Sequence, residues 1–229
     1  YSILSELNDP KRNILTAEDP IEYELEGIGQ SQMKSEINYT FAKALRTFLR
    51  QDPEVILVGE IRDQETGNIA VEAALTGHLV CSTLHTNSSV ETITRLVNMG
   101  IPNYLISSSV SLVIGQRLAR KICQKCKIED KNSSAKLLKQ MKLPSDLNPM
   151  VGKGCKECNN SGYKGRQGIY EILKITEDLQ DGILKNLTIP EMEAVAKKEG
   201  FLSMQEVGAG YIKEGLLSLE EYQRTLFIS

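Results

Sequence analysis

An α/β domain on a mostly parallel sheet is the fold class the sequence predicts, and three observations predict it. Short β-branched runs alternate with helix-period segments between residues 13 and 100. Val55-Ile56-Leu57-Val58 is apolar without alternation, as expected of a strand covered on both faces. Acidic or polar residues then follow directly on these runs, at Glu18-Asp19-Pro20-Ile21-Glu22, Gly59-Glu60 and Thr83-Leu84-His85-Thr86.

The elements follow in order. Residues 13–17 read as a buried strand. Phe41, Leu45, Phe48 and Leu49 recur at helical spacing within 39–50, and Asp52-Pro53 ends that helix. The strand 55–58 leads into a helix over 63–76, with Ile69, Ala70, Ala73 and Ala74 on one face and Gly77 as C-cap. A strand is expected over 79–84, then a helix from Ser88 or Ser89 that carries Ile93, Leu96 and Val97 and stops at Gly100. From 117 to 166 the chain is basic, rich in Gly and Asn, and without regular sheet spacing. A strand over 168–173 precedes four short helices, near 177–186, 189–199, 202–214 and 218–226. Thr176, Thr188 and Ser218 are the expected N-caps of three of them. The implied division is 1–116, 117–174 and 175–229.

Composition narrows the function classes. The 229 residues are 41% hydrophobic and 25% charged, an ordinary globular balance. A net charge of −3 argues against a general nucleic-acid binder. No apolar run approaches the roughly 18–20 residues that cross a bilayer, so any membrane association is peripheral, through partners. The chain opens with helical spacing at Ile3, Leu4 and Leu7, and has no initiator Met or capping residue. This predicts that the protein extends upstream.

Three strand tips carry the candidate chemistry. In Val58-Gly59-Glu60-Ile61-Arg62-Asp63, a buried strand delivers Glu60 at its end, the way nucleotide hydrolases set a carboxylate beside Mg²⁺. Read alone, Glu60 and Arg62 are equally a solvated strand end. Glu22 closes a second acidic segment, where a carboxylate orients water or forms a solvated turn. His85 ends the third strand, and His78 at its start reads as structural. The sequence contains no G-x-x-x-x-G-K-[ST] phosphate loop.

Four of five cysteines form two C-x-x-C pairs, Cys123/Cys126 and Cys155/Cys158, about thirty residues apart. Each pair turns two thiolates toward one ion, and two pairs complete a tetrahedral S₄ site for structural Zn²⁺ with no position left for catalysis. Lys121, Lys125, Lys127, Lys153 and Lys156 offset its charge.

At these residues the chain resembles the hexameric ATPases of type II secretion and type IV pilus assembly. Residues 16–22 are similar to that family's aspartate box, 58–63 to its Walker B segment and 83–86 to its histidine box. The cysteine pairs followed by Gly162-Tyr163-Lys164-Gly165-Arg166-Gln167-Gly168-Ile169-Tyr170-Glu171 resemble its cysteine-bearing segment. The resemblance implies a RecA-like P-loop NTPase core lacking its Walker A loop, a zinc-binding segment and a C-terminal helical subdomain. It implies ATP and Mg²⁺ as cofactors, with Glu22 as general base, Glu60 as the Walker B carboxylate and His85 near the γ-phosphate. Arg46, Arg50, Arg62, Arg95 and Arg166 match arginines at the nucleotide or across a subunit interface. A homo-hexamer on the cytoplasmic side of the inner membrane, driven against a platform protein and inactive without the phosphate loop, is the expectation. The cysteine pairs favour the secretion and pilus-extension branches over retraction. A non-catalytic scaffold subunit of the same ring and a zinc-ribbon adaptor that binds protein or nucleic acid are the alternatives.

Overall fold

The computed structural model describes residues 1–131, 133, 135–141, 143–145 and 147–227. They form two compact units, one made of 1–113 with 174–195, the other of 114–173 with the chain from 196 onward.

In the first unit, α1 (Ser2–Leu7) leads to β1 (Ile14–Glu18) and β2 (Gly29–Gln32), then α2 (Phe41–Phe48) and β3 (Val55–Val58). Next come α3 (Gln64–Leu75), β4 (Leu79–Ser82), α4 (Ser89–Asn98) and α5 (Asn103–Ser109). The four strands are parallel in the order β2-β1-β3-β4. Both inner strands are enclosed, which is why they read as continuous apolar runs. Leu15, Ala17, Ile56 and Val58 pack with Ala42, Leu45 and Phe48 of α2 and with Ile69, Ala70 and Ala73 of α3.

The helices start where side chains can satisfy their free amides. Thr40, Asp63 and Ser88 each accept from the backbone N–H three residues on, at 3.4, 2.8 and 3.1 Å. Register sets the site. Ala17 lies opposite Val58, and Val58 opposite Ser82, so three strands end at one level. Gly59 follows there because a Cβ would stand 3.1 Å from the Ala17 carbonyl oxygen.

The segment 174–195 belongs to this unit, unlike the expected single C-terminal subdomain over 175–229. Asn103 Nδ2 donates to the Ile183 carbonyl at 2.8 Å and to Asn186 Oδ1 at 2.7 Å, which ties down α7 (Glu177–Leu184). In the later part of the chain, α8 (Ile189–Lys198), α9 (Met204–Lys213) and α10 (Leu219–Leu226) occupy the expected helical stretches.

The second unit corrects one expectation. Residues 117–166 are not without sheet structure: β5 (Leu112–Ile122) pairs with β8 (Tyr163–Lys174), and β6 (Lys127–Glu129) pairs antiparallel with β7 (Met150–Gly152). The period-two alternation of β5 is present in the wrong phase. Leu112, Ile114 and Leu118 face out, while Gly115, Arg117 and Ala119 are the more covered positions. A boundary at 116/117 would cut this strand. The core here joins Ala119, Ile169, Ile212, Leu217 and Tyr222 with Leu138 of α6 (Ala135–Gln140).

Glu221 of α10 has a side chain without solvent exposure. It accepts from the Arg120 backbone N–H at 2.7 Å, from Arg120 Nε at 2.8 Å, and from Arg224. Arg120 lies 4.2 Å over the Tyr163 ring. Burial raises the Glu221 pKa, but the Arg224 and Arg120 bonds outweigh it and hold the carboxyl at about 2. A depressed carboxyl stabilises the fold above its ordinary pKa and loses that contribution as pH falls toward the folded value. Glu221→Gln is therefore expected to cost about 3 kcal/mol at pH 7, the shift converted at ~1.4 kcal/mol per unit. The gap from the native protein should close between about pH 4.5 and 2, as read by urea unfolding.

Candidate functional site

Glu60 stands two residues beyond β3 at the common strand level. Its side chain is 11% exposed, while Arg62 and His85 above it are 68% and 86% exposed. Arg62 Nε lies 2.5 Å and His85 Nε2 3.4 Å from the same oxygen, Glu60 Oε2. That oxygen is closed off from solvent and receives no aligned hydrogen bond. The loops beyond β3 and β4 are joined: Ile61 N–H donates to the Thr83 carbonyl at 3.1 Å, and Thr83 Oγ1 donates to the Gly59 carbonyl at 2.6 Å. This pairing brings His85 to Glu60.

A buried carboxylate oxygen without a hydrogen bond is costly unless a cation meets it. The two side chains that meet it are long, exposed and movable. The donor set fits Mg²⁺, which prefers few carboxylates and otherwise water or phosphate oxygens. A bound Mg²⁺ would supply charge stabilisation at phosphate oxygens.

Glu22 lies on the loop beyond β1, the strand beside β3. It is exposed, its N–H donates to Tyr1 Oη at 3.1 Å, and its carboxylate has no hydrogen-bond or ion-pair partner among the described residues. The structure thus joins Glu60, Arg62 and His85 directly and sets Glu22 at the neighbouring tip. Sequence reasoning missed Glu18, the last residue of β1, which is 4% exposed and bonded to Thr16, Gln30 and Tyr1. Its strand position immediately after Thr16-Ala17 was the available signal.

Arg46, Arg50 and Arg95 make no ion pair with Glu60 among the described residues. Arg46 pairs with Glu65 at 2.8 Å between α2 and α3. Arg50 and Arg95 are exposed beyond α2 and near the end of α4, and Arg166 is exposed on β8 in the second unit. His78 Nδ1 lies 2.9 Å from the Ala73 carbonyl, at the end of α3.

The four cysteines converge in the second unit. Cys123 and Cys155 sulfurs are 3.9 Å apart, Cys126 and Cys158 3.9 Å, Cys155 and Cys158 3.8 Å, and all four lie within 4.8 Å of one another. Tetrahedral zinc at ~2.3 Å from each sulfur requires S–S edges of about 3.8 Å. The spacing fits that ion.

The two turns are held together by backbone. Lys153 N–H donates to the Cys126 carbonyl at 3.0 Å, and Cys123 N–H to the Gly162 carbonyl at 2.9 Å. A Cβ on Gly152 would lie 2.0 Å from that same Gly162 oxygen, so only glycine permits this approach. Burial raises the Cys158 thiol, but N–H donors from Cys155 and Gly162 and the neighbouring thiols bring it down to about 6. Burial and those thiols push Cys126 up to about 12. A cation bound among the four sulfurs would favour their thiolate forms.

Known proteins share this fold. A crystal structure of the pilus retraction motor PilT with bound ADP matches at a TM-score of 0.69 and 30% identity, covering 97% of this chain and 55% of that one. The Legionella pneumophila ATPase DotB matches at 0.65 and 27%, covering 97% and 54%. The α/β fold with its parallel sheet is therefore one used by such ATPases. The family model described as type II/IV secretion system protein matches residues 1–224, and the chain belongs to that family. It is 46% identical over 229 residues to the type IV pilus assembly ATPase PilB of Acinetobacter baylyi, covering 98% of this chain and 39% of that protein. It is 48% identical over 227 residues to the type II secretion system protein E of Pseudomonas aeruginosa, covering 98% and 45%. The chain spans less than half the length of these two relatives. Among the described residues, no helix is long and apolar enough to cross a membrane.

Proposed function

We propose that this chain is the catalytic and zinc-bearing part of an ATP-driven motor subunit. The motor powers type II protein secretion or type IV pilus assembly from the cytoplasmic side of the inner membrane. The observation that carries the reading is the Glu60 carboxylate, sealed at a strand tip with one oxygen facing two exposed nitrogen groups.

Glu60 would hold Mg²⁺, which would supply positive charge at the phosphate oxygens. Exposed Glu22, on the adjacent tip, takes the proton of the attacking water. His85 donates toward the γ-phosphate from the joined β4 loop, and Arg62 leaves Glu60 to pair with phosphate oxygens. Arg46, Arg50, Arg95 and Arg166 act at the nucleotide or across a ring of six chains, where an arginine offsets the charge that develops in phosphoryl transfer. Cys123, Cys126, Cys155 and Cys158 hold a structural Zn²⁺ that orders the loops between β5 and β8. An inner-membrane platform protein receives the motion.

The test is ATP hydrolysis by a full-length enzyme carrying this chain. Turnover should require Mg²⁺ and rise with assembly into six-membered rings, followed by phosphate release and light scattering. Hydrolysis indifferent to Mg²⁺ and to assembly would overturn the reading. The isolated chain should hydrolyse ATP only slowly.

A further inference from the structure

The β1 tip holds a hydrogen-bond network that the roles above leave unused. Glu18 Oε1 accepts from Thr16 Oγ1 at 2.5 Å and from Gln30 Nε2 at 3.0 Å, and Oε2 accepts from Tyr1 Oη. The Tyr1 oxygen in turn accepts from Glu22 N–H at 3.1 Å. Gln30 extends the network in the other direction. Its Oε1 accepts from Leu25 N–H at 2.6 Å, and its Nε2 also reaches the Tyr23 carbonyl at 3.2 Å. Three backbone groups at and just beyond Glu22 are thus tied to one buried carboxylate.

The direction of the chain is fixed by chemistry. The Tyr1 hydroxyl has one proton, which it donates to Glu18, and it keeps a lone pair for Glu22 N–H. Bonds aligned head to tail reinforce one another. Burial, then the bond to Glu18, raises the Tyr1 pKa, so the phenol remains a donor well above neutrality. The Tyr1 ring is also fixed, edge-on to Tyr23 with centroids 4.4 Å apart. Glu18 itself is shut off from water and engaged by protein donors. Glu22 is exposed, and its carboxylate has no hydrogen-bond or ion-pair partner among the described residues.

We infer that Tyr1, anchored on Glu18, is a positioning residue for Glu22, setting the backbone from which that carboxylate reaches the attacking water. The inference rests on Glu22 being the general base. A loop residue whose carboxylate has no hydrogen-bond or ion-pair partner among the described residues has its geometry set by its backbone, and a misplacement of about 1 Å costs on the order of 100-fold in rate.

Tyr1→Phe tests this in a full-length enzyme carrying the chain. The variant keeps the ring against Tyr23 and deletes only the hydroxyl. The expected result is a fall in kcat of about 10- to 100-fold with KM for ATP changed less than about twofold. In a Glu22→Gln background the same substitution should add no further loss, because the base it positions is already gone. Amide exchange at Glu22 should speed up in Tyr1→Phe, while β1 and β3 stay protected. Gln30→Met, which frees Tyr23 and Leu25 instead, should give the same split between kcat and KM. Native kcat in Tyr1→Phe, or an equal fractional loss in both backgrounds, overturns the inference. Near-native turnover in Glu22→Gln alone would instead remove the base assignment on which it rests.

Discussion

Glu60→Gln, in a full-length enzyme carrying this chain, is expected to lower Mg²⁺-dependent ATP turnover by about 100- to 1,000-fold, the loss typical of removing one key electrostatic group. The substitution keeps the side-chain volume in a site where only 11% of it is exposed, so the strand tip should hold its shape. What changes is the charge. An amide offers Mg²⁺ a weaker oxygen and no longer attracts Arg62, so the loss should fall on kcat, with ATP affinity far less affected. Phosphate release at saturating ATP and Mg²⁺ reads the effect. Turnover within a few-fold of native would show that this carboxylate has no part in the chemistry.

The second large effect is on the metal. Elemental analysis should give about one zinc per chain, from four thiols at tetrahedral spacing. Cys158→Ser is the most telling substitution, because Cys158 is buried and takes N–H bonds from Cys155 at 3.2 Å and Gly162 at 3.3 Å. A structural zinc contributes on the order of 10 kcal/mol of apparent binding energy in small peptides. Here the second unit has its own core around Ile169, Ile212 and Tyr222, so the expected result is local loosening rather than loss of the unit. Amide exchange should accelerate across 123–162 and remain slow in β1 and β3. Stability in urea should fall by several kcal/mol, and removing the metal by chelation should reproduce both effects. A metal-free protein of unchanged stability would end the zinc assignment.

The first unit was legible because its signals are local. Val55–Val58 is apolar throughout since both faces are covered, and Thr40, Asp63 and Ser88 mark helix starts through bonds three residues long. The convergence of Glu60 with His85 was only implied, because it depends on pairing between β3 and β4 across a helix. Glu18 was missed for the same reason: its role is set by Tyr1 and Gln30, 17 and 12 residues away. In the second unit, β5 carries leucine and isoleucine on its outer face, so its hydrophobic pattern points away from its core. The cysteine pairs were legible because each C-x-x-C turn is local. The β6–β7 pairing and the close approach of Gly152 to Gly162, which bring the two turns together, were not.

Gly59 has a consequence for how this tip can respond to a guest. With its Cα pressed near the Ala17 carbonyl, and Gly59 N–H bonded to that oxygen at 2.8 Å, the two inner strands end as one welded lip. The carboxylate floor is held by the paired strands, and the exposed side chains of Arg62 and His85 meet it from above. On the proposed reading, negative charge would sit on the strand scaffold and positive charge on exposed side chains, so a phosphate would be met from above rather than enclosed from below.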